Sequence, residues 1–213
     1  MSGAVITYDR CVGRWQPDAR GRLEEAALAL FAERGFEDTT VAAIAERAGL
    51  TERTFFRHFA DKREVLFGGA GAVEAHLAAA VAAAPTGAAP MELVAAALAV
   101  LAPFFESRRE LVQRRQAVIA STAELREREL IKLASMGAHL ATALRDRGVA
   151  EPAASLAAQV GMSAFGVAFD QWVGDPGEDL AARIREAFDE LRTLTAEPER
   201  GRSRGARPAR SAG

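Results

Sequence analysis

Apolar residues recur along this chain at intervals of three and four, the period of a helix face. The first such run is Leu23, Ala27, Leu30 and Phe31. Pro17 and Asp18 stand ahead of it and suit a first helical turn, and Gly35 closes it. Val41, Ile44, Ala45 and Ala48 make one face of a second, short helix, with Thr40 as its N-cap and Gly49 as its break. Thr51 caps a third helix over about 52–59. Asp61 and Glu64 have capping-box spacing and open a fourth, continued by Val65, Leu66, Val73, Leu77 and Val81. An Ala, Pro and Gly linker covers 82–90. Five more helices are predicted at about 91–102, 106–120, 123–147, 152–173 and 177–196, with Gly148 and the Asp175-Pro176-Gly177 turn between the later ones. About nine helices and few β-branched runs make the fold class all-α. The predicted organisation is a three-helix unit with a helix-turn-helix over 17–62, a larger helical domain over 63–197, and a disordered Arg-rich tail over 198–213.

Composition narrows the reading without deciding it. With 213 residues, 49% of them hydrophobic, the chain can bury a sizeable core. Its net charge of -2 does not announce a nucleic-acid binder, so a DNA case must rest on local geometry. Cys11 is the only cysteine, which excludes an intramolecular disulfide and a cysteine metal cage and fits a reducing compartment. The start has no long apolar core, and the apolar stretch 91–105 is broken by Pro103 and too short to span a bilayer. The expectation is a cytoplasmic protein with no membrane partner.

The segment 40–62 reads TVAAIAERAGLTERTFFRHFADK. Two short helices joined by a glycine turn cross steeply, as entry into a groove demands. Ala45 is small where the helices meet, Gly49 suits a positive φ, and Ile44, Leu50 and Phe55 can pin the pair together. The third helix then enters the major groove with Thr51, Glu52, Arg53, Thr54 and Arg57 outward. Arg53 is the preferred base reader, since arginine reads guanine with two hydrogen bonds worth about 1–3 kcal/mol. Phe56 and His58 can pack on the sugar-phosphate or donate to phosphate. Thr40 and Lys62 start helices, where phosphate is favoured, and would position the protein without reading sequence. The bland alternative is a helical hairpin with solvated charges. Against it stands the aromatic and basic run Phe55-Phe56-Arg57-His58-Phe59. Tail arginines such as Arg200 and Arg202 can add non-specific phosphate affinity.

Gly35-Phe36, Thr39-Thr40, Ile44-Ala45-Glu46-Arg47-Ala48-Gly49-Leu50, Thr54-Phe55-Phe56-Arg57-His58-Phe59 and Lys62 together resemble the TetR family over about 22–66. The family's usual Tyr is Phe56 here, and its usual Gly or Arg at the base-reading position is Arg53. The resemblance implies a three-helix DNA-binding domain followed by a helical ligand-binding and dimerisation domain. The segments 13–20 and 121–129 are also similar to an actinobacterial-type branch that includes regulators resembling the mycofactocin-system repressor. That likeness admits an acyl-CoA-like effector.

The helix over 152–173 is apolar on two sides: Leu156, Val160, Ala164 and Val167 on one, Met162, Phe165, Phe169 and Trp172 on the other. The last helix has one stripe, Leu180, Ile184, Phe188 and Leu191. These suit a homodimer interface built as a four-helix bundle, with Leu156, Val160, Val167, Trp172, Leu180, Ile184, Phe188 and Leu191 in it. The alternative is that one stripe completes the monomer core. Two copies about 34–36 Å apart would read successive major grooves. By family analogy the middle helices hold a small-molecule effector, against Phe104, Phe105, Val112, Ile119, Met136, Leu140 and Phe165, with Arg115, Gln116 and His139 as polar contacts. The implied function is a repressor released from operator DNA by its effector. An enzyme is the first rival, but His58, His76 and His139 fall on separate helices, and no HExxH, phosphate loop or nucleophile elbow occurs. No catalytic residue, metal or cofactor is therefore assigned. The second rival is a ligand-independent architectural DNA-binding protein, which would have a fully packed C-terminal core.

Overall fold

The computed structural model describes residues 18–196 except 176 and 178. The expected tail over 198–213 and the lead peptide before Pro17 lie outside these residues. Asp18 opens α1 (Ala19–Arg34) by accepting the Gly21 N–H at 2.7 Å. Thr40 and Thr51 open α2 (Val41–Arg47) and α3 (Glu52–His58), each hydroxyl accepting a backbone N–H three residues on at 3.2 Å. Between them Gly49 turns the chain at φ +64°, a conformation that costs a residue with a Cβ about 1–2 kcal/mol. Arg22 of α1 reaches behind this turn: its Nε donates to the Ala48 carbonyl at 3.1 Å and its Nη2 to the Gly49 carbonyl at 3.3 Å.

Leu23, Leu30, Phe31, Phe36, Ile44, Phe55 and Phe59 form the core beneath α1–α3. Phe55 is fully buried, tilted against Phe59 at 5.4 Å and edge-on to Phe56 at 5.5 Å. This core does not stop at the third helix. Val65, Leu66 and Phe67 of α4 (Glu64–Phe67) join it, with Val118 and Ile119 of α8 (Arg109–Ser121) and Leu125 of α9 (Ala123–Asp146).

The single helix expected over 61–81 is two. Asp61 does start it, accepting the N–H groups of Arg63 and Glu64 at 2.7 and 3.0 Å. However, α4 ends at Gly68, and α5 (Ala70–Ala83) begins after Gly69 at φ +91°. A Cβ at Gly68 would overlap the Glu64 carbonyl and the Arg20 guanidinium, so the backbone there passes where only glycine fits. The helix expected over 91–102 ends earlier, as α6 (Pro90–Ala99), and the stretch expected to link it to the next forms a one-turn α7 (Ala102–Glu106) with Pro103 in its first turn. By length and composition alone the run 64–83 could cross a membrane. Its helix is broken at Gly68–Gly69, and Leu77 and Val81 are buried in the protein's core.

The second core lies among α5, α6, α9, α10 (Ala153–Gly174) and α11 (Leu180–Thr195). Its largest members are Trp172, Leu98, Leu140, Leu144, Leu180 and Ile184, all essentially inaccessible. Arg109 closes the C-terminal end of α10, donating to the Trp172 carbonyl at 2.6 Å with its guanidinium 4.6 Å over the indole ring. These burials correct half of the expected dimer surface. Trp172, Leu180, Ile184 and Phe188 complete the monomer's own core and have no surface to offer a partner. Leu156, Val160 and Val167 stand on the opposite side of α10, with 56%, 37% and 55% of their surface exposed, and Leu191 is half-buried.

Candidate nucleic-acid interface and interior cavity

The burial of Phe55 and Phe59 decides which way the other side chains of α3 face. With Phe55 and Phe59 turned into the core, Glu52, Arg53, Phe56 and Arg57 face water, alongside Thr51 and Thr40. Arg53 and Arg57 make no ion pair or hydrogen bond among the described residues, so both guanidinium forks remain available for an anion. Phe56 leaves 55% of its surface in water beside them. Thr54 is half-buried, its hydroxyl 3.1 Å from that of Thr51. The neighbouring Arg47 is already paired: it grips Glu33 of α1 with two hydrogen bonds, at 2.9 and 2.7 Å. Those bonds hold the Glu33 carboxyl below its usual range.

One expected phosphate contact is corrected here, and a second is narrowed to one ring nitrogen. Lys62 donates to the carbonyls of Phe36, Glu37 and Thr39 at 2.7, 3.0 and 3.1 Å, and its Nζ sits 4.4 Å from the Phe36 ring. An ammonium has three donors, and all are occupied. Lys62 is a brace on the loop between α1 and α2, and α4 starts only at Glu64. The available signal was a single lysine facing a loop whose carbonyls have no helical partners. His58 is half-buried with its Nε2 in the interior, so that nitrogen cannot reach a phosphate.

A cavity of about 250 Å³ lies between the middle helices and the N-terminal unit. Of the residues expected around a ligand, Phe104, Phe105, Val112, Arg115, Gln116, Met136 and Phe165 line it. Three expected ones do not. Ile119 is buried in the N-terminal core, because the C-terminal end of α8 packs against α1. Leu140 is fully buried in the second core. His139 is on the surface of α9, its Nδ1 3.3 Å from the Glu74 carboxylate and 2.9 Å from the Ser135 carbonyl. Sequence reasoning missed Glu24 and Leu28 of α1 and Val65 and Leu66 of α4, which also line the cavity. It also missed Glu129, Lys132 and Phe169. A second cavity, about 290 Å³, adjoins the first across Glu24, Gly68, Gly69, Val73, Phe104 and Arg108. Glu24, buried although charged, bonds Arg20 at 3.1 Å and also pairs with Arg108 of the C-terminal unit.

The polar wall of the first cavity is a cation–carboxylate cluster. Arg115 grips Glu129 with two hydrogen bonds, at 3.2 and 2.7 Å, and its Nε donates to the Leu66 carbonyl in α4. Burial raises the Glu129 pKa, but the Arg115 bonds and charge outweigh it and, with Lys132 and Gln116, leave it lowered. Lys132 is lowered by burial first and then by the Arg115 charge, with Glu129 opposing both.

Comparison with known proteins agrees with this layout. The model described as "Bacterial regulatory proteins, tetR family" matches residues 23–67, and that of the "MftR C-terminal domain" matches 88–196, about half of the chain. The HTH-type transcriptional regulator TcmR of Streptomyces glaucescens is 42% identical over 73 residues, 34% of this chain and 32% of that protein. The curated relatives are thus matched over about a third of their length. Among solved structures, FadR from Thermus thermophilus, in complex with lauroyl-CoA, has a TM-score of 0.51 at 22% identity, covering 91% of this chain and 99% of that one. FadR from Bacillus subtilis, in complex with stearoyl-CoA, has a TM-score of 0.59 at 21% identity, covering 80% and 96%. At these identities the likeness is one of fold. The helix-turn-helix with its two free arginines, the helical body behind it and the two matched segments lead to one assignment: the chain belongs to the tetR family of bacterial transcription regulators, DNA-binding proteins and not enzymes, with an MftR-type C-terminal domain.

Proposed function

We propose that this regulator is a repressor that binds operator DNA as a homodimer and is released by a small-molecule effector. The observation that carries the reading is the shared wall of the cavity. Glu24 and Leu28 of the DNA-binding unit, Val65 and Leu66 of α4, and Phe105, Arg115 and Phe165 of the C-terminal unit all line one space. A molecule filling it touches both units at once. Arg115 extends the link, since it holds Glu129 on one side and the Leu66 carbonyl on the other. A ligand preferring one arrangement of these units shifts operator affinity by its differential affinity, typically about 1–3 kcal/mol or 5–150-fold. An architectural protein without a ligand would be expected to fill such a space, and the open cavity counts against that role.

The exposed stripe Leu156, Val160 and Val167 supports the second copy, through α10 against α10. The effector is amphipathic, by the aromatic and charged lining, and an acyl-CoA-like compound belongs to that class. The test is fluorescence anisotropy of the purified protein on the DNA upstream of its own coding region, beside a scrambled duplex and Arg53→Ala. Sequence-dependent binding that Arg53→Ala weakens by about 1–3 kcal/mol is expected. Equal, salt-labile binding to every duplex would sink the operator reading.

A further inference from the structure

We infer that the cavity takes a small organic carboxylate, with Lys132 as the group that recognises its acid end. This rests on the cavity being the effector site. Lys132 lines the cavity from α9 with 23% of its side chain exposed. Its Nζ makes no hydrogen bond among the described residues, and its nearest anion, Glu129, is 3.9 Å away, beyond hydrogen-bond reach. Glu129 is already engaged, since both of its oxygens accept from Arg115. Asp170 and the Arg108-paired Glu24 line the same space, but neither comes within 4.0 Å of the ammonium. Two cations therefore share one carboxylate, and three ammonium protons lack acceptors in a largely apolar setting. A sheltered charge in that state calls for a counter-ion. Burial and the Arg115 charge already lower the Lys132 pKa, a penalty that a bound anion would relieve.

Charge and size select the ligand. Within the Arg115–Glu129–Lys132 cluster the excess is a single positive charge, which one carboxylate balances at the Lys132 end; over the whole wall Glu24 and Asp170 offset Arg108 and that excess. A phosphate monoester, at about −1.5 to −2, would leave net negative charge beside Phe105, Phe165 and Phe169. The apolar part of the wall also includes Val112, Leu133 and Met136, suited to an alkyl or aryl body. A volume of about 250 Å³ falls just under the usual range of ligand pockets, about 300–1,000 Å³, and so suits a medium-chain or bicyclic acid.

The test is calorimetric titration of the full chain with decanoate, 2-naphthoate, 1-decanol and decanoyl-CoA, on the wild type, Lys132→Gln and Lys132→Arg. At least one free acid binds the wild type more tightly than the alcohol or the thioester. Lys132→Gln weakens that acid about tenfold or more, equivalent to about 1.4 kcal/mol. Lys132→Arg keeps most of the affinity, and binding of the alcohol is unchanged. A thermal melt of Lys132→Gln no lower than wild type shows that the loss is not one of folding. Failure of both acids to bind, equal binding by Lys132→Gln, or tighter binding of the alcohol or thioester overturns the inference. Release from the upstream DNA is scored separately. Lys132-dependent acid binding without release keeps the carboxylate site and removes the effector reading. Release by decanoyl-CoA alone does the reverse.

Discussion

The two halves of the molecule hold themselves together differently. In the DNA-binding unit each of the three helices starts on a side-chain cap, from Asp18, Thr40 and Thr51. Its loops are tied by cations donating to carbonyls, Arg22 to the turn after α2 and Lys62 to the loop before it. In the C-terminal unit α5, α8 and α9 begin without a side-chain cap, whereas α11 starts on Asp179 and carboxylates of Glu92 and Glu151 tie the starts of α6 and α10. There α9, at 24 residues, satisfies most of its backbone groups internally, so an uncapped start costs it a small share of its bonds. Helices of seven residues, such as α2 and α3, have few internal bonds, so their ends and turns must be fixed by side chains. A reader of DNA shape is built to one geometry, whereas a ligand site leaves space between long, self-sufficient rods.

That contrast can be tested at five positions. The largest effect is expected at Phe55→Ala, which empties the centre of the N-terminal aromatic cluster and should lower stability by about 3–5 kcal/mol in urea denaturation, with operator binding lost. Phe104→Ala, at a ring half exposed on the cavity rim, should change stability by less than about 1 kcal/mol. Next is Gly161→Ala. The added methyl would enter the Val94 side chain and stand 3.6 Å from Phe188. A loss of about 1–3 kcal/mol is expected, and Val94→Ala in the same chain should recover part of it. If the single substitution is silent, α6 and α10 are not held as closely as described.

Lys62→Met comes third, with a loss of about 1–2 kcal/mol as the Glu37 and Thr39 carbonyls lose their donor and that of Phe36 keeps only the Thr39 N–H. The slope of log affinity against log salt on operator DNA should stay unchanged. A slope smaller by about one would mean that Lys62 touches phosphate after all. The smallest effect is a pH dependence. The Glu129 pKa is lower folded than its ordinary 4.5, so its contribution to stability is present above that value and fades as pH falls through the folded value. Glu129→Gln should therefore flatten the acid side of the stability curve below about pH 4.5, measured by urea midpoints, while leaving its neutral side displaced downward.

The helix-turn-helix was legible because its requirements are local. A capping threonine, a glycine at positive φ and an alanine at a crossing are each decided by neighbours within a few residues. What stayed hidden was decided at a distance. The apolar period runs on through 65–81, so the break at Gly68–Gly69 leaves no mark in it; the mark is the glycine pair itself, Gly69 turning the chain at φ +91° and Gly68 leaving room for the Arg20 guanidinium. Trp172, Ile184 and Phe188 form stripes that suit a dimer or a monomer core equally, and the packing of α6 to α9 against α10 and α11 decides between them. Glu24 reads as an ordinary surface charge until Arg108, far along the chain, comes to meet it. Lys132 reads as part of a solvated charge pattern with Glu129, because nothing local reveals that Arg115 has already taken that carboxylate.

The arginine behind the α2–α3 turn has a mechanical consequence. With Arg22 on the Ala48 and Gly49 carbonyls and Lys62 on those of Phe36, Glu37 and Thr39, the segments on both sides of α3 are tied to the rest of the unit. Tilting α3 alone would tear several charge-assisted bonds together. Its backbone amides should therefore exchange with heavy water in step with those of α1, as one cooperative block, and any repositioning on DNA must carry three helices as a single piece.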